Sequence, residues 1–500
     1  MTSLAFESGL QLAERLKKGD LSAVELLDYF LDRVGRFNPQ LNAVIELQEE
    51  KAREWADAAD KVRAGHPAES LAPFHGVPMT IKESFDVTGM RTTRGNPAFE
   101  HHVAKIDALA VSRLRKAGAN IFGKTNVPLD LADFQSYNAI YGTTNNPWDI
   151  ERTAGGSSGG SAVAMAAGLS GIENGSDIGG SIRNPAHYCG VFGHKPTWGL
   201  LPPRGHAAPG VLAQSDLAVI GPIARSARDL EALLLAEAGP DEIMAGGYRL
   251  DLSRPTFSDL KELRIAAMVN HPLAPVSQIC EARVEGVLDI IRHAGGKVNY
   301  DARPDFDLGA GHEVYQNLLW AVMASRSDDA TYAQVTEEVA ALAPDDQSAR
   351  AHNLRARFAT YRDYSTANEA RTHQRWAWHQ FFQEYDVMVT PIMATPAFPH
   401  DHQPFGQRTV EVDGAPRPYF EQLFWAGLAI NSYLPATIVP TGTLGGGLPV
   451  GVQIIGPEFG DLKVLHVAKL LEQEGLAFVP PPGFEDKILA PGQGDSGLPD

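Results

Sequence analysis

The chain has 500 residues, and its 44% hydrophobic and 21% charged residues are proportions typical of a globular protein. With 43 Lys and Arg against 61 Asp and Glu, the formal net charge of −18 argues against a general nucleic-acid-binding or anionic-membrane-binding surface. Two cysteines, Cys189 and Cys280, exclude a disulfide framework and a cysteine-based metal cluster.

Residues 1–65 are predicted to form a helical segment that packs on the core. Ser22 and Glu25 match a capping box before an apolar-periodic run, and Asn38-Pro39 is expected to end that helix. The predicted elements are helices over 9–18 and 22–36, a strand over 41–47 and a surface helix over 49–64. Because the start shows no secretory signal and no long apolar run follows, we predict a cytoplasmic protein without a membrane span.

Strands alternate with helices through residues 66–475, which predicts a layered α/β domain. In chain order the elements are a buried strand over 76–82 that ends in Lys82, a helix over 106–117, a strand over 120–123, a helix over 226–237, a strand over 263–269, a helix over 282–294, a strand over 386–389, a hairpin of 437–439 with 450–455, and a helix over 462–474. Residues 476–500 are predicted to be a tail, loosely attached from Pro480.

Residues 310–425 differ from the rest because they are predicted to be helical and rich in aromatic side chains. We expect most of these aromatics in the core and a minority in an apolar substrate pocket. They are Trp320, Trp376, Trp378, Phe381, Phe382 and Trp425.

The most informative stretch runs from Thr153 to Pro196 and contains two Gly-Ser loops, around Ser157 and Ser181. An apolar block over 162–169 separates the loops, and a flexible linker would not need one. Glycine permits unusual backbone conformations and a close approach of the backbone to a reacting atom. Two serine-centred loops therefore suggest nucleophilic chemistry.

Two short motifs compete with that interpretation. Residues 118–125 match the phosphate loop G-x-x-x-x-G-K-T, but here the match follows a helix and contains strand residues, which reverses the required context. Residues 155–159 match the nucleophile elbow G-x-S-x-G, but no strand is predicted before Gly155. Both interpretations are therefore disfavoured.

Longer segments are more specific. GGSSGGSAVAMAAGL and GSDIGGSIRNPAHYCGVFGHKPTWG, together with GVPMTIKESFDV, GKTNVP, YGTTNNPWD and PVGVQIIG, resemble the amidase signature family over about residues 20–475. The resemblance implies a single large α/β/α domain with a central mixed sheet covered by helices. It also implies chemistry without a metal or another cofactor.

The resemblance further implies a catalytic Ser–cis-Ser–Lys set. Ser181 would be the nucleophile, Ser157 the bridging serine after a cis peptide bond, and Lys82 the base. Lysine is a base only when it is neutral, and burial lowers its pKa below the usual value of about 10.4. A hydroxyl both donates and accepts, so Ser157 can relay a proton. Ile178 and His194 depart from the family motif, but neither position supplies a catalytic side chain.

The loop around Ser181 has few side chains in the way of its backbone, so its N–H groups are expected to stabilise an oxyanion. The expected donors are Ile178, Gly179, Gly180 and Ser181. Asp177 and Arg183 are expected to clamp this loop, or Arg183 to contact an anionic substrate. Leu131, Ala132, Asp133 and Phe134 match a family segment that lines the acyl pocket, where Asp133 would recognise a polar group or cap a turn.

These residues predict a stand-alone amidohydrolase that cleaves a small linear amide, an ester or a carbamate, and the aromatic segment favours apolar or aryl acyl groups. One alternative is the amidase subunit of a tRNA-dependent amidotransferase, which makes ammonia from glutamine for a partner subunit. GVFGHKPTWGLLPPRG departs from the arrangement associated with those subunits. The other alternative is a catalytically silent binding protein on the same fold. The family is compatible with a homodimer.

Overall fold

The computed structural model describes residues 3–443 and 447–486. The helices are α1 Gly9–Lys18, α2 Ala23–Leu41, α3 Glu49–Gly65, α4 Leu109–Lys116, α5 Gly159–Ala166, α6 Arg183–Cys189, α7 Ala227–Glu237, α8 Gln278–His293, α9 Leu308–Ala324, α10 Asp329–Ala340, α11 Ala349–Arg357, α12 Tyr361–Glu384, α13 Leu423–Ile430 and α14 Asp461–Gln473. The strands are β1 Val44–Leu47, β2 Pro78–Lys82, β3 Asn120–Thr125, β4 Tyr137–Asn138, β5 Gly142–Thr143, β6 Asn145–Asn146, β7 Asp149–Thr153, β8 Glu173–Asp177, β9 Phe192–Lys195, β10 Val219–Ala224, β11 Arg264–Ala267, β12 Lys297–Asn299, β13 Val387–Thr390, β14 Thr409–Val412, β15 Ala415–Pro418, β16 Ala436–Thr443 and β17 Pro449–Ile455.

An eight-stranded mixed sheet forms the centre of the molecule, in the order β12-β11-β13-β17-β16-β9-β10-β8. Strand β11 is parallel to β12 and β13, whereas the other neighbours in this sheet are antiparallel. Helices α6, α7, α8 and α14 pack against its strands. The predicted α/β/α architecture with a central mixed sheet covered by helices is therefore confirmed.

A smaller sheet of order β1-β3-β2 carries Lys82 into the interior. Strand β2 is parallel to β3, and a parallel bridge between Met79 and Ile172 links β2 to the start of β8. Every residue of β2 is buried, as is usual for parallel strands that are covered on both faces. The last residue of the strand is Lys82, as predicted, so its amine lies in the buried interior.

Helix α2 extends beyond its predicted end at Asn38-Pro39. Pro39 lies inside the helix, which continues to Leu41 and ends at Asn42, whose φ is +48°. A proline in the last helical turn removes only one backbone donor, so the helix tolerates it there. The Asn38 side chain instead fixes the segment that follows the helix, because its Oδ1 accepts a hydrogen bond from the N–H of Val44 at 2.8 Å.

Most other predicted elements are present with changed bounds. The capping box of Ser22 and Glu25 is confirmed. Helix α4 is shorter than predicted because Ile106, which is 72% exposed, lies outside its apolar face. Strands β16 and β17 pair in antiparallel fashion as predicted, while the turn residues 444–446 lie outside the described residues.

The segment 310–425 is helical only in its first part. Helices α9 to α12 end at Glu384, and strand β13 and the hairpin β14–β15 follow. The prediction of a helical segment up to 425 is therefore wrong for residues 387–418. Four of its six aromatics are buried in the core: Trp378, Phe381, Phe382 and Trp425.

Residues 480–486 are attached to the N-terminal helices, contrary to the prediction of a loose tail. Phe484 is buried, and its carbonyl oxygen accepts a hydrogen bond from Arg33 Nη2 at 2.7 Å. Asp486 pairs with Arg33 Nη1 at 2.8 Å. The guanidinium of Arg33 is fully buried on α2 and needs such acceptors, which explains the attachment. The rest of the predicted tail, residues 487–500, lies outside the described residues.

Cys189 and Cys280 are both free and buried. Burial raises the pKa of each thiol, that of Cys280 to about 12. Within residues 3–443 and 447–486, no group of three or more His, Cys, Asp or Glu side chains is arranged to hold a metal ion. No helix in these ranges is long and apolar enough to cross a membrane.

Candidate active site

The amine of Lys82 is surrounded by three serine hydroxyls. Its Nζ atom lies 2.7 Å from Ser157 Oγ, 2.9 Å from Ser158 Oγ and 2.9 Å from Ser176 Oγ. The Lys82 side chain is fully buried, and these hydrogen bonds go to hydroxyl groups rather than to a carboxylate. The amine is therefore removed from water without gaining a counter-charge at hydrogen-bond distance.

Burial lowers the pKa of Lys82 well below its ordinary value of 10.5; the charge of Asp177 opposes this shift and that of Arg94 adds to it. Burial also raises the pKa of Glu173 to about 8, so this neighbouring carboxyl group is largely protonated at neutral pH. A neutral amine has two N–H donors and one lone pair. It can donate to two of the three hydroxyls and accept from the third, which is the arrangement of a buried base.

Ser157 follows a cis peptide bond with Gly156. Gly155 adopts a φ of +85°, which an L side chain rarely allows. A Cβ atom on Gly156 would lie 2.5 Å from the carbonyl oxygen of Asp133 and 2.7 Å from the backbone nitrogen of Gln135. The glycines thus let the Ser157 loop lie directly against the backbone of residues 133–135.

Ser181 lies between β8 and α6, on a loop that folds around Asp177. The Asp177 carboxylate accepts the N–H groups of Gly180 at 2.9 Å and Ile182 at 3.0 Å. It also forms a bidentate ion pair with Arg183, at 3.0 Å to Nε and 2.9 Å to Nη2, and both side chains are fully buried. Burial alone would raise the pKa of Asp177, but the charge and hydrogen bonds of Arg183, with smaller contributions from the Ile182 N–H and the charge of Lys195, leave the pKa lowered. The pair holds the loop in the way expected of a clamp.

The two serine loops are joined by a backbone hydrogen bond of 3.0 Å from the Ser158 N–H to the Ser181 carbonyl. In the part of the chain that the structure describes, the N–H groups of Ile178, Gly179 and Ser181 donate to no acceptor, so they are available to a ligand oxygen. Gly180, also expected as a donor, instead donates to the clamped carboxylate. Because one N–H donates to one strong acceptor, Gly180 is not available to an oxyanion, and three of the four expected donors remain.

Ser157 and Ser181 open into a cavity of about 500 Å³. Its wall also contains Arg94 and residues of the segments 203–219 and 322–331. None of the six aromatics of the segment 310–425 lines this cavity, which removes the argument for an aryl acyl group. Phe99 is an aromatic residue that does line it.

The four residues expected to line the acyl pocket have different positions. Leu131 reaches the cavity wall, whereas Ala132, Asp133 and Phe134 do not line it. The buried carboxylate of Asp133 pairs with Arg408 Nη1 at 2.7 Å and accepts the hydroxyl of Tyr419 at 2.6 Å. Phe134 is also buried and packs against the Tyr419 ring. Asp133 thus anchors the loop that supports Gly156 and is not directed towards a ligand.

Ser158, Ser176 and His206 are site residues that sequence reasoning missed. Signals for the serines existed, because Ser158 is the second serine of GGSSGG and Ser176 directly precedes Asp177 in the second motif. His206 lies at the cavity wall, where its Nε2 is 2.8 Å from Ser84 Oγ. Burial lowers the pKa of His206 well below its ordinary range, so the ring is neutral at pH 7.

The two competing motifs have other structural roles. Lys124 of the phosphate-loop match lies in β3, and its amine donates to the Glu83 carbonyl at 3.0 Å and to Thr92 Oγ1 at 2.9 Å.

For the nucleophile-elbow match, the prediction that no strand precedes Gly155 is wrong, because β7 precedes it. It pairs with β6 and bridges to Pro399 through Arg152, both outside the main sheet. Its partly exposed polar residues do not show the apolar pattern that predicts a strand. The hydroxyl of Ser157 is hydrogen-bonded to the amine of Lys82, a contact that a nucleophile elbow does not require.

Comparisons with known proteins relate the chain to a family. A protein-family model described as Amidase matches residues 25–465. The A subunit of glutamyl-tRNA(Gln) amidotransferase from Roseiflexus sp. strain RS-1 is 33% identical over 474 residues, which cover 91% of this chain and 93% of that protein.

Two solved structures illustrate the similarity in fold. One chain from the inhibitor-bound complex of an s-triazine catabolic enzyme has 27% identity and a TM-score of 0.78, with 94% of this chain and 99% of that chain covered. The glutamyl-tRNA(Gln) amidotransferase A subunit from Thermotoga maritima has 26% identity and a TM-score of 0.74, with 96% and 99% covered.

Proposed function

The chain belongs to the Amidase family, and from that premise we propose that it hydrolyses a carboxamide through an acyl-enzyme on Ser181. The observation that carries the proposal is the Lys82 amine, which is buried, depressed in pKa and 2.7 Å from the Ser157 hydroxyl. Ser157 and Ser181 share one cavity. Family membership supports amide chemistry, and this arrangement supports a serine nucleophile with a lysine base.

Acylation starts with a proton relay. Ser157 gives its hydroxyl proton to the Lys82 lone pair and takes the proton of Ser181, whose Oγ forms a bond to the amide carbonyl carbon. The carbonyl oxygen becomes an oxyanion, which the N–H groups of Ile178, Gly179 and Ser181 stabilise. Losing one such donor typically raises the barrier by about 3–4 kcal/mol.

The C–N bond then breaks, and the nitrogen takes the proton of the Lys82 ammonium through Ser157 and leaves as ammonia or an amine. A water molecule next attacks the ester on Ser181 and gives one proton to the same relay. When the ester bond breaks, the relay returns that proton to Ser181 Oγ. The products are the carboxylic acid and the free enzyme.

The test is covalent labelling with a fluorophosphonate combined with ammonia release from a panel of small amides. Wild-type protein is expected to be labelled on Ser181 and to release ammonia, and Ser181→Ala is expected to do neither. Ser70→Ala, which changes an exposed serine, is the control and should behave as wild type. Labelling that persists in Ser181→Ala would contradict the proposal, and a wild type without labelling or turnover would favour a silent binding protein.

The curated relatives favour a more specific setting than a stand-alone hydrolase. Those named as the A subunit of glutamyl-tRNA(Gln) amidotransferase reach 33% identity. They support a second candidate function, in which this chain releases ammonia from glutamine and works with a partner subunit. The solved structures do not separate the two settings, because the s-triazine enzyme and the amidotransferase subunit have TM-scores of 0.78 and 0.74.

Capture of the tagged chain from the cells that make it, followed by glutaminase assays, distinguishes the two settings. An amidotransferase subunit is expected to copurify with a partner and to hydrolyse glutamine faster in its presence. A stand-alone amidase is expected to purify alone or as a homodimer and to be fully active on its own substrate. The Ser181→Ala variant should lose activity in either setting.

A further inference from the structure

Arg94 is a cavity residue whose guanidinium lacks a strong hydrogen-bond acceptor among the described residues. It lines the same cavity as Ser157 and Ser181. Its Nε atom is buried without a hydrogen-bond partner among the described residues, and its guanidinium makes one long contact of 3.4 Å from Nη2 to the Asp130 carbonyl. Arg326, also in the cavity wall, donates to the Ala213 carbonyl at 3.2 Å. Neither arginine forms an ion pair within residues 3–443 and 447–486.

The other charged side chains of the cavity wall are engaged by the protein itself. Their partners are Arg183 for Asp177, the Asn96 amide for Asp130, the Thr331 N–H for Asp328, and Glu242 for Arg204. Three arginines and three aspartates line the cavity, so its formal charges balance, but the aspartates all accept hydrogen bonds whereas the buried Nε of Arg94 has no acceptor among the described residues. Burial lowers the pKa of Arg94; the charge of Asp130 opposes this shift and that of Arg326 adds to it.

The backbone of Arg94 is fixed relative to the catalytic lysine. The Glu83 carboxylate, one residue after Lys82, accepts the N–H of Arg94 at 2.7 Å and also the N–H of Thr93. The Arg94 carbonyl accepts the N–H of Asp130 at 2.8 Å, and Arg94 itself has a φ of +57°. Such left-handed conformations are uncommon for a residue other than glycine and are found where the surroundings enforce them. The guanidinium is thus held at a set position in the cavity.

We propose that Arg94, assisted by Arg326, binds a carboxylate on the acyl part of the substrate. The substrate class is then a carboxamide that carries a carboxylate a few bonds from the amide, such as the half-amide of a dicarboxylic acid. A carboxylate would supply the acceptor that the buried Nε of Arg94 lacks, and arginine binds carboxylates through paired N–H donors. This inference rests on the proposed amide hydrolysis at Ser181 and narrows its substrate.

The test compares two matched pairs of amides that differ in the carboxylate: glutaramate with pentanamide, and succinamate with butyramide. Wild type is expected to prefer the charged member of at least one pair. The charge of Arg94 also lowers the pKa of Lys82, so each variant is assayed above the ascending limb of its own pH profile. In Arg94→Met, kcat/KM for the charged member should then fall about 10- to 100-fold, the usual size of a lost charged hydrogen bond, while the neutral member changes little. Arg94→Lys should retain part of the preference.

Arg91→Met is the matched control. Arg91 lies on the same segment but outside the cavity, where it pairs with Glu46 at 3.4 Å. This variant should keep the wild-type preference. Equal turnover of both members by wild type, or an equal loss on both in Arg94→Met, would overturn the carboxylate subsite.

The outcomes for Ser181 and for Arg94 can be read separately. If wild type is neither labelled by a fluorophosphonate nor active, the hydrolase proposal fails. Calorimetric titration with glutaramate and pentanamide then decides the subsite alone, because wild type should bind only glutaramate and Arg94→Met should lose that binding. Absence of this difference would refute the carboxylate subsite.

Discussion

The Nζ atom of Lys82 lies 2.7 Å from the hydroxyl oxygen of Ser157, a residue 75 positions later in the chain. The lysine arrives at the end of a buried strand, and the serine arrives on a loop between β7 and α5. The contact contains no carboxylate, so hydroxyl groups position the lysine, and burial lowers its pKa. Five predictions test this geometry and its supports.

Replacing Ser157 should be more damaging than replacing its neighbour. In Ser157→Ala, kcat for an amide should fall about 10²- to 10⁴-fold, because that range is typical of a lost proton-transfer group. Ser158→Ala removes a hydroxyl at a similar distance from Lys82 and is expected to have a smaller effect, since only Ser157 is proposed to relay. Steady-state kinetics of both variants checks the ranking, and equal losses would speak against a relay specific to Ser157.

Activity should rise with pH and level off well below the ordinary lysine pKa. Lys82 acts as a base only in its neutral form, and its pKa is lowered by burial, so the neutral form is present at lower pH than for a free lysine. A pH profile of kcat/KM should therefore show one ascending limb with a midpoint below about 10. A profile that is flat down to acid pH would exclude this base.

Lys82→Met should be inactive but more stable than wild type. Below pH 10.5 the unfolded chain binds a proton at Lys82 that the folded chain releases, so wild-type stability rises with pH between the lowered folded pKa and 10.5. Removing the lysine should therefore stabilise the protein at pH 7 by about 1–2 kcal/mol, and the gain should shrink towards pH 10. Denaturant unfolding at both pH values measures this, and a Lys82→Met variant that is less stable than wild type at pH 7 would contradict the prediction.

Arg183→Met should destabilise the fold strongly. It would leave the Asp177 carboxylate buried without its cation, a change that usually costs about 3–5 kcal/mol. Arg264→Met is the control, because the exposed arginine of that pair with Asp386 should contribute less than about 1 kcal/mol. Chemical denaturation compares the two variants, and similar losses would mean that the buried pair is not a special support of the Ser181 loop.

Gly175→Ala should reduce activity through the lysine environment. The added Cβ would lie 2.7 Å from Ser158 Oγ, so that hydroxyl must move and with it one of the hydrogen bonds of Lys82. Gly286→Ala is the control, since nothing lies within 4 Å of a Cβ there and alanine favours helix α8. Amide turnover and thermal unfolding of both variants check the prediction, and wild-type kinetics in Gly175→Ala would contradict it.

The sequence predicts those features whose causes are local or lie in long motifs. The capping box of Ser22 and Glu25 depends on residues three positions apart, and the buried strand that ends in Lys82 depends on a run of apolar residues. The positions proposed for Ser157 and Ser181 come from motifs long enough to be specific. These features depend on residues close together in the sequence and can therefore be predicted without knowledge of the fold.

Features that depend on distant residues could not be read from the sequence. Asp133 meets Arg408 across 275 positions, and nothing near either residue indicates the pair. Lys82 reaches Ser176 across 94 positions. The missing acceptor for the buried Nε of Arg94 is likewise a property of the assembled cavity, because many acidic residues in the chain could have supplied one.

The strand order of the main sheet affects how this protein is made on the ribosome. The hairpin β16–β17 lies between β13 and β9, so residues from near the end of the chain join the two halves of the sheet. Until that hairpin leaves the exit tunnel, the nascent polypeptide presents unpaired edges at β9 and β13, and such edges pair readily with other chains. A truncated translation product that stops before residue 436 lacks both strands of the hairpin and is expected to aggregate.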